Sequence, residues 1–293
     1  MDLVGLLASR PLVVGDGSTG RRLMAFGLGQ GECPESLNLR DPAAVEQVHR
    51  EYVEAGADFV ITNTLGGTEL MLRRHGLGGA VEQVNCAGAE IALRAAAGCA
   101  AVLGDVGPTG QLLQPYGELA PEEARSAFAA QAAALSGAGV GAIILETFTS
   151  AAELRAALEG AREACRLPLI ANLVFSPAPG GRLRTIMGER PEDLVRLAEE
   201  FGCLAAGTNC GQGIETMPPL VRQLAEMTDL PIIVQPNAGV PRLVGGRTVY
   251  PEDAATFARH LPDLHKAGAR IIGGCCGTTA EHVRAIRALA DSL

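Results

Sequence analysis

The sequence predicts an α/β fold, a single-domain (β/α)8 TIM barrel that spans residues 1–293, from three observations. Short aliphatic runs alternate with longer helical patterns, and eight such units of similar length fill the chain. The aliphatic runs are continuous, which is typical of parallel strands that are covered on both faces. Eight strand–helix units in 293 residues fit one barrel domain better than an open, doubly wound sheet.

Each predicted strand is an aliphatic run that ends in glycine or in polar residues. The first run, Leu12-Val13-Val14, leads into Gly15-Asp16-Gly17, and the last, Arg270-Ile271-Ile272, leads into Gly273-Gly274-Cys275-Cys276. Glycines at these points allow the chain to turn sharply. The eight predicted strands lie at 12–14, 59–61, 101–103, 142–145, 169–175, 203–206, 232–234 and 270–272.

The segments between the strands repeat apolar residues every three or four positions, the period of an amphipathic helix. Several open with an acidic cap or with proline at the first helical position, as Asp41-Pro42 and Pro121-Glu122 do. The spacing of Thr278 and Glu281 is that of a capping box for the last helix. We predict helices that begin near 42, 79, 121, 150, 191, 217, 251 and 279.

Charge and patterning exclude several classes of protein. The net charge is −9 and there is no basic run, whereas a nucleic-acid partner requires clustered Lys and Arg. No apolar run approaches the ~18 residues of a membrane span, and the N-terminus is acidic at Asp2 without the basic segment of a signal peptide. We therefore expect a cytoplasmic protein without nucleic-acid or membrane partners, whose eight cysteines are reduced thiols.

Three of the cysteines stand at predicted strand ends. Cys275 and Cys276 alone are as compatible with buried core thiols as with metal ligands. Cys210 ends the sixth strand, and the active site of such a barrel lies at the carboxyl ends of its strands. Three thiolates favour Zn²⁺ over Mg²⁺ or Ca²⁺. The five histidines lie within or near predicted helices, so we predict a zinc site with one open position, as in catalytic sites.

An open position on a zinc with three thiolates suits a soft fourth ligand, the thiol of a substrate. Zinc lowers the pKa of that thiol from ~8.5, so the thiolate forms at neutral pH. The predicted reaction is therefore alkyl transfer to sulfur. Asp16 and Glu146 would hold a cationic group of the substrate, and the amides of residues 17–20 a carboxylate. The alternative for these two acids is a structural role in capping helices or binding loop amides.

Taken together, the motifs resemble those of the zinc-dependent homocysteine S-methyltransferase family. The resemblance covers nearly the whole chain and is most specific at Asn209-Cys210 and Gly273-Gly274-Cys275-Cys276-Gly277. It implies zinc on the three cysteines, homocysteine as the thiol substrate and methionine as the product. The other matching stretches are Asp16-Gly17, Thr62-Asn63-Thr64, Gly107-Pro108-Thr109-Gly110, Glu146-Thr147-Phe148 and Pro236-Asn237-Ala238-Gly239.

The same resemblance implies roles for individual residues. Asp16 and Glu146 would bind the homocysteine amine, and the backbone amides of Thr19 and Gly20 its carboxylate. Polar residues at other strand ends complete the predicted site. The predicted substrate-binding residues are Asp16, Gly17, Ser18, Thr19, Gly20, Asn63, Glu146, Asn209 and Asn237.

The methyl donor stays open at this stage. Residues 72–77 and 248–251 look most like the homocysteine-binding module of cobalamin-dependent methionine synthase, whose other domains have no counterpart in this sequence. Betaine is disfavoured, because a quaternary ammonium donor favours an aromatic cage and the sequence has no Trp and three Tyr. S-methylmethionine, S-adenosylmethionine and a methyl-corrinoid protein remain candidate donors.

Two other functions are compatible with the same residues. One is a corrinoid-linked methyltransferase component that acts on another thiol together with a separate cobalamin protein. The other is a non-catalytic zinc barrel that binds a thiol metabolite. Residues 263–268 match a short cobalamin-ligating pattern, Asp-x-His-x-x-Gly, but they close a predicted helix instead of following a strand. We interpret that match as chance.

Overall fold

Eight parallel strands form a nearly closed barrel surrounded by helices in the computed structural model, which describes residues 1–245 and 247–293. Neighbouring strands follow chain order, and β8 returns to β1 through the pairs Val13–Ile271 and Val14–Ile272. The predicted (β/α)8 barrel is thereby confirmed. The strands are β1 (Val13–Val14), β2 (Phe59–Ile61), β3 (Ala101–Val106), β4 (Ala142–Phe148), β5 (Leu169–Leu173), β6 (Ala205–Gly213), β7 (Ile232–Asn237) and β8 (Ala269–Ile272).

The eight predicted helices are present on the outside of the barrel. They are Pro42–Glu54, Val81–Ala96, Pro121–Gly137, Ala151–Ala164, Pro191–Glu200, Pro218–Ala225, Ala254–Lys266 and Ala280–Ala290. Four shorter helices were not predicted. They are Leu3–Ser9, Thr19–Leu23, Leu37–Arg40 and Glu69–Arg73.

The last two long helices begin later than predicted. Asp253 caps the helix that starts at Ala254, because its carboxylate accepts a hydrogen bond from the Thr256 amide at 2.8 Å. Thr279, not Thr278, caps the final helix, with His282 as its reciprocal partner. Thr278 is thereby free for the site, as described below.

Carboxylates help to close the seam between β1 and β2. The Asp58 amide donates to the Val14 carbonyl at 2.7 Å, and the Asp58 carboxylate accepts from the Val14 amide at 2.8 Å. Nearer the carboxyl ends of the same two strands, the Asp16 carboxylate accepts a hydrogen bond from the Ile61 amide at 2.8 Å. Arg10 and Arg287 pair with Asp58. One oxygen of Asp16 therefore has a structural partner before any ligand binds.

The barrel interior is aliphatic at its lower end. Inward-facing residues such as Leu103, Ile144 and Ile233 pack together there, and the helix Leu3–Ser9 closes the bottom with Leu3, Leu6 and Leu7. This helix escaped prediction because seven residues are too few to display a helical period. The packed interior leaves the carboxyl ends of the strands as the place for a cavity.

Two antiparallel hairpins were also not predicted. One pairs Ser176–Ala178 with Arg182–Arg184, after β5, and the other pairs Arg242–Val244 with Arg247–Val249, after β7. Both follow carboxyl ends of barrel strands, so they lie at the mouth. Their sequences are short and rich in Pro, Gly and Arg, and lack the alternation that indicates a strand.

All five histidines were predicted to lie within or near helices, and two of them, His49 and His282, are buried on their helices. His49 is 0% exposed, and neither of its ring nitrogens has a partner within the described residues. Burial lowers the pKa of His49 to about 4. All eight cysteines are free. Within the described ranges, no helix is both long and apolar enough to cross a bilayer.

Candidate metal centre and substrate pocket

The three predicted metal ligands come together at the mouth of the barrel. The Sγ atoms of Cys210, Cys275 and Cys276 all lie within 4.8 Å of one another. Among the described residues, no other group of three His, Cys, Asp or Glu side chains has ligand spacing. The sulfurs come from the ends of β6 and β8, which β7 separates.

Unusual backbone geometry turns these sulfurs inward. Cys210 has φ of 59° and Gly211 has φ of 71°, both in the left-handed region. Such a conformation costs a non-glycine residue free energy and persists where the surroundings hold it in place. The turn at Cys275 and Cys276 is held by hydrogen bonds to neighbouring strands. The Cys275 amide donates to the Pro236 carbonyl at 2.8 Å, and the Ala238 amide donates to the Cys276 carbonyl at 2.9 Å.

Thr278 ties this turn to the loop after β1. Its hydroxyl donates to the Cys275 carbonyl at 2.7 Å and accepts from the Ser18 amide at 3.2 Å. Gly274 packs so closely that an added Cβ would lie 2.4 Å from the Thr278 Oγ1. The turn that carries Cys275 and Cys276 and the Gly17–Gly20 loop are therefore fixed to each other.

The three sulfurs fit a soft divalent cation. A tetrahedral zinc with Zn–S of ~2.3 Å places its sulfurs about 3.8 Å apart, inside the observed spacing. Hydrogen bonds from the other two thiols lower the pKa of Cys210 to about 3. The contact with Cys210 raises the pKa of Cys275 and raises that of Cys276 to about 11. A bound zinc ion would take the place of the thiol protons, because cysteine coordinates zinc as the thiolate.

Polar side chains surround the sulfurs from behind. The Asn237 side chain helps to lower the pKa of Cys210, and its buried Oδ1 has no partner in the described part of the chain. The Asn209 amide lies 3.9 Å from the Cys275 sulfur. Tyr250 and Cys276 each affect the pKa of the other. Such groups orient metal ligands and adjust their basicity.

A cavity of about 670 Å³ joins the cysteines to the predicted substrate residues. Asp16 and Glu146 line it, and both are buried. Arg21 is the one basic side chain among the described residues that line it. The other predicted residues on its wall are Gly17, Ser18, Thr19, Gly20, Asn63, Cys210, Cys275 and Cys276.

Burial dominates the protonation of the two predicted amine-binding carboxylates. Burial raises the pKa of Glu146 to about 7, although the Gln235 amide donates to its Oε2 at 3.1 Å. Burial also raises the pKa of Asp16, and the hydrogen bond from the Ile61 amide opposes that shift. A cationic ligand would restore the charge of both groups. The cavity therefore favours a ligand that carries a positive group.

The loop after β1 leaves backbone amides available. Thr19 begins a short helix, Ser18 makes no side-chain capping bond, and the Thr19 and Gly20 amides have no acceptor within the described residues. The Tyr52 hydroxyl holds the loop by donating to the Ser18 carbonyl at 2.9 Å. An added Cβ on Gly17 would lie 2.9 Å from the Tyr52 ring, so glycine is required there. Free amides of this kind bind carboxylates.

Comparison with known proteins identifies the family. The family model described as homocysteine S-methyltransferase matches residues 13–290. The chain belongs to this family.

Related proteins agree with this membership of the homocysteine S-methyltransferase family. The chain is 32% identical to a methionine synthase of Mycobacterium tuberculosis and 31% identical to one of Mycobacterium leprae, over 98% of the chain in each case. It spans about a quarter (25%) of the length of these two relatives.

Solved structures resemble the fold. The metallated form of the homocysteine methyltransferase MmuM from Escherichia coli has a TM-score of 0.82 and 25% sequence identity, covering 98% of this chain and 99% of that one. A dihydrodipicolinate synthase from Bacillus anthracis, at a TM-score of 0.52 and 14% identity over 95% of this chain and 73% of that one, shares the fold alone.

Three of the predicted polar residues are placed differently from the rest. Asn63 lines the cavity, but its amide donates to the Pro34 carbonyl and to the Asn38 Oδ1, at 2.8 and 2.9 Å. Asn209 and Asn237 lie behind the cysteines. Neither is among the described residues that line the cavity. All three are therefore positioned to support the wall and the sulfurs.

Several residues that line the cavity were not among the predicted site residues, and Asp105, Gln235 and Tyr250 are three of them. For Asp105 and Gln235, the alternation of inward-facing and outward-facing side chains along a strand could have indicated a position in the cavity. Asp105 stands two positions after the inward-facing Leu103, and Gln235 two positions after the inward-facing Ile233. Tyr250 follows the unpredicted hairpin, so no strand pattern indicated it.

Proposed function

We propose that this protein is a zinc-dependent homocysteine S-methyltransferase that transfers a methyl group to the sulfur of homocysteine and produces methionine. One observation carries the proposal. Three clustered cysteine sulfurs and two buried carboxylates, Asp16 and Glu146, line one cavity. The family membership of the chain supports the same reaction.

Different residues of the cavity bind different groups of the substrate. Zn²⁺ held by Cys210, Cys275 and Cys276 supplies the Lewis acidity that keeps a thiol ionised at neutral pH. Asp16 and Glu146 bind the ammonium group of homocysteine. The free amides of Thr19 and Gly20 bind its carboxylate. The substrate is therefore held at both ends while its sulfur points to the cysteines.

The acidic cavity accepts more than one class of donor. S-methylmethionine and S-adenosylmethionine are small cations that suit a wall with Asp16, Glu35 and Glu146. A methyl-corrinoid protein would instead approach the mouth, and the methionine synthases related to this chain extend well beyond the matched part. We propose that the protein works in the cytoplasm, where thiols stay reduced.

A panel of donors tests the function. Zinc-loaded protein is incubated with homocysteine and each of the three donors in turn, and methionine is measured by mass spectrometry. We expect methionine from at least one donor, loss of product in Cys276→Ala, and retention in Cys99→Ala, which removes an exposed thiol. Homocysteine binding without methionine from any donor would overturn the proposal in favour of a barrel that only binds thiols or serves a different acceptor.

A further inference from the structure

Asp105 is a buried carboxylate of the cavity that nothing else in the described chain pairs with. The residue is 6% exposed, and its buried Oδ1 has no hydrogen-bond partner within the described residues. Asp16 and Glu146 differ, because each has one oxygen bonded, to the Ile61 amide and to the Gln235 amide. Buried polar groups are almost always paired, so an unpaired carboxylate on a cavity wall calls for a ligand.

The position of Asp105 on its strand explains why its side chain faces the inside of the barrel. It stands on β3 two residues above the inward-facing Leu103. Asn172 on β5 and Gln235 on β7 hold the equivalent places above Ile170 and Ile233. Alternate strands of such a barrel contribute to one layer. Asp105 and Gln235 line the cavity at this level, and Asn172 lies beside Gln235. We call this layer of three residues the polar floor.

The Asp105 side chain takes no part in the side-chain hydrogen bonds of the polar floor. The Asn172 amide donates to Gln235 at 3.2 Å, and the Gln235 amide donates to Glu146 at 3.1 Å. The backbone of Asp105 is held firmly, because its carbonyl accepts from the Thr64 hydroxyl at 2.8 Å and from the Gln131 amide at 3.0 Å. The carboxylate is thus fixed in place without a partner.

The surrounding charges require that any partner comes from outside. Glu146, Glu35 and Asp16 all act on Asp105 with the same sign of charge, and each raises its pKa further than burial alone. Arg21, the basic residue on the described wall, is engaged elsewhere. Its guanidinium donates to the Thr248 carbonyl at 2.6 Å and lies over the Tyr250 ring. A cationic ligand is therefore the missing partner.

We propose that Asp105 is a third acceptor for the ammonium group of the substrate and restricts the site to thiols that carry an amine. The inference rests on the proposed function. An ammonium group has three N–H donors, and Asp16 and Glu146 offer it only the oxygens that the protein leaves free. Asp105 supplies the remaining acceptor from the wall of the same cavity, on the strand β3 that pairs with the strand β4 of Glu146.

The test compares two thiols on the zinc-loaded protein. Homocysteine carries the amine, and 4-mercaptobutyrate is the same chain without it. Binding is measured by calorimetry for the wild type and for Asp105→Asn, which keeps the shape and removes the charge. We expect homocysteine affinity to fall by about 10- to 100-fold, the usual effect of losing a charged hydrogen bond, and 4-mercaptobutyrate affinity to stay within about twofold.

Matched variants separate selectivity from folding. Asp263→Asn makes the same change on an exposed helix position and is expected to leave both affinities unchanged. Asp105→Ser removes the charge with a different side chain, and is expected to give the same loss of preference for homocysteine. Zinc content equal to that of the wild type in all three variants is the expected sign of an intact site.

Two results would overturn the inference while leaving the proposed function in place. One is an equal loss of affinity for both thiols, which indicates a structural role. The other is an unchanged preference for homocysteine with a raised KM for the methyl donor. A wild-type protein that binds zinc and does not bind homocysteine overturns the proposed function itself, and the inference with it.

Discussion

Asn209 holds Thr147 by two hydrogen bonds. Its carboxamide oxygen accepts from the Thr147 amide at 2.8 Å, and its nitrogen donates to the Thr147 hydroxyl at 2.7 Å. Thr147 follows Glu146 and has φ of 65°, while Cys210 follows Asn209 and has φ of 59°. The pair therefore connects two left-handed turns, one beside the Glu146 carboxylate and one at the proposed metal ligand Cys210. It fixes Glu146 and Cys210 relative to each other.

Replacing Asn209 should weaken the metal centre before it unfolds the barrel. Asn209→Ala loses both bonds to Thr147 and the contact to the Cys275 sulfur. We expect zinc affinity to fall by about 10- to 100-fold and the free energy of unfolding to fall by about 1–3 kcal/mol. Competition with a chromophoric chelator measures the first, and urea titration the second. Unchanged zinc affinity would contradict the role assigned to Asn209.

Removing the metal should lower stability as well as activity. A ligand that binds only the folded state at a thousand times its Kd contributes about 4 kcal/mol, so chelation should lower the Tm clearly. Cys210→Ala and Cys275→Ala should show the low Tm without chelator and no further response to it. Cys99→Ala, at an exposed thiol, should respond as the wild type does. A Tm that is insensitive to chelator in the wild type would contradict metal binding at this cluster.

Homocysteine binding should strengthen as pH rises through about 7, because burial raises the pKa of Glu146 to about 7. Below that pH the group is neutral and must release a proton to pair with the substrate ammonium. The Kd should therefore rise by about tenfold for each pH unit below 7. Calorimetry across pH 5–8 measures this dependence.

Glu146→Gln is the matched variant for this pH dependence. It should bind weakly at every pH, because its amide cannot ionise. Proton transfers at the cysteines and at the substrate thiol are common to both proteins, so they cancel in the difference between them. A variant with the same pH dependence as the wild type would assign the titration to another group.

Those parts of the fold and site that depend on local pattern could be predicted. Aliphatic runs fix the eight strands, and polar residues at their ends place Asp16, Glu146 and the cysteines at one mouth. The metal cluster was predictable because Cys210 and the Cys275–Cys276 pair end strands that flank a single strand. In a regular barrel of this kind, the site lies at the carboxyl ends of the strands.

The missed features depend on contacts between distant residues. The role proposed for Asp105 was not predicted, because it follows from the absence of a partner for its side chain, which the sequence does not display. Thr278 suited a capping box, but the turn at Cys275 takes its hydroxyl and leaves capping to Thr279. The burial of His49 depends on packing of its helix against the barrel. Tertiary contacts decide each of these cases.

His49 should make the protein less stable in mild acid. Burial lowers its pKa from 6.5 to about 4, so between these pH values the unfolded state binds a proton that the folded state does not. Stability is then greatest above pH 6.5 and is lost as pH falls toward 4, by up to about 3 kcal/mol. His49→Leu removes this proton binding and two unpaired ring nitrogens. Urea unfolding at pH 5 and pH 7.5 should show a smaller loss of stability in the variant than in the wild type.

The comparison is made between variants because other groups also titrate. The zinc ligands and the buried carboxylates are present in both proteins, so the difference in acid sensitivity isolates His49. His75→Leu makes the same substitution at an exposed position and should keep the acid sensitivity of the wild type. Equal sensitivity in His49→Leu and the wild type would mean that His49 reaches water, since only hydration of the imidazolium would remove the cost of burying its charge.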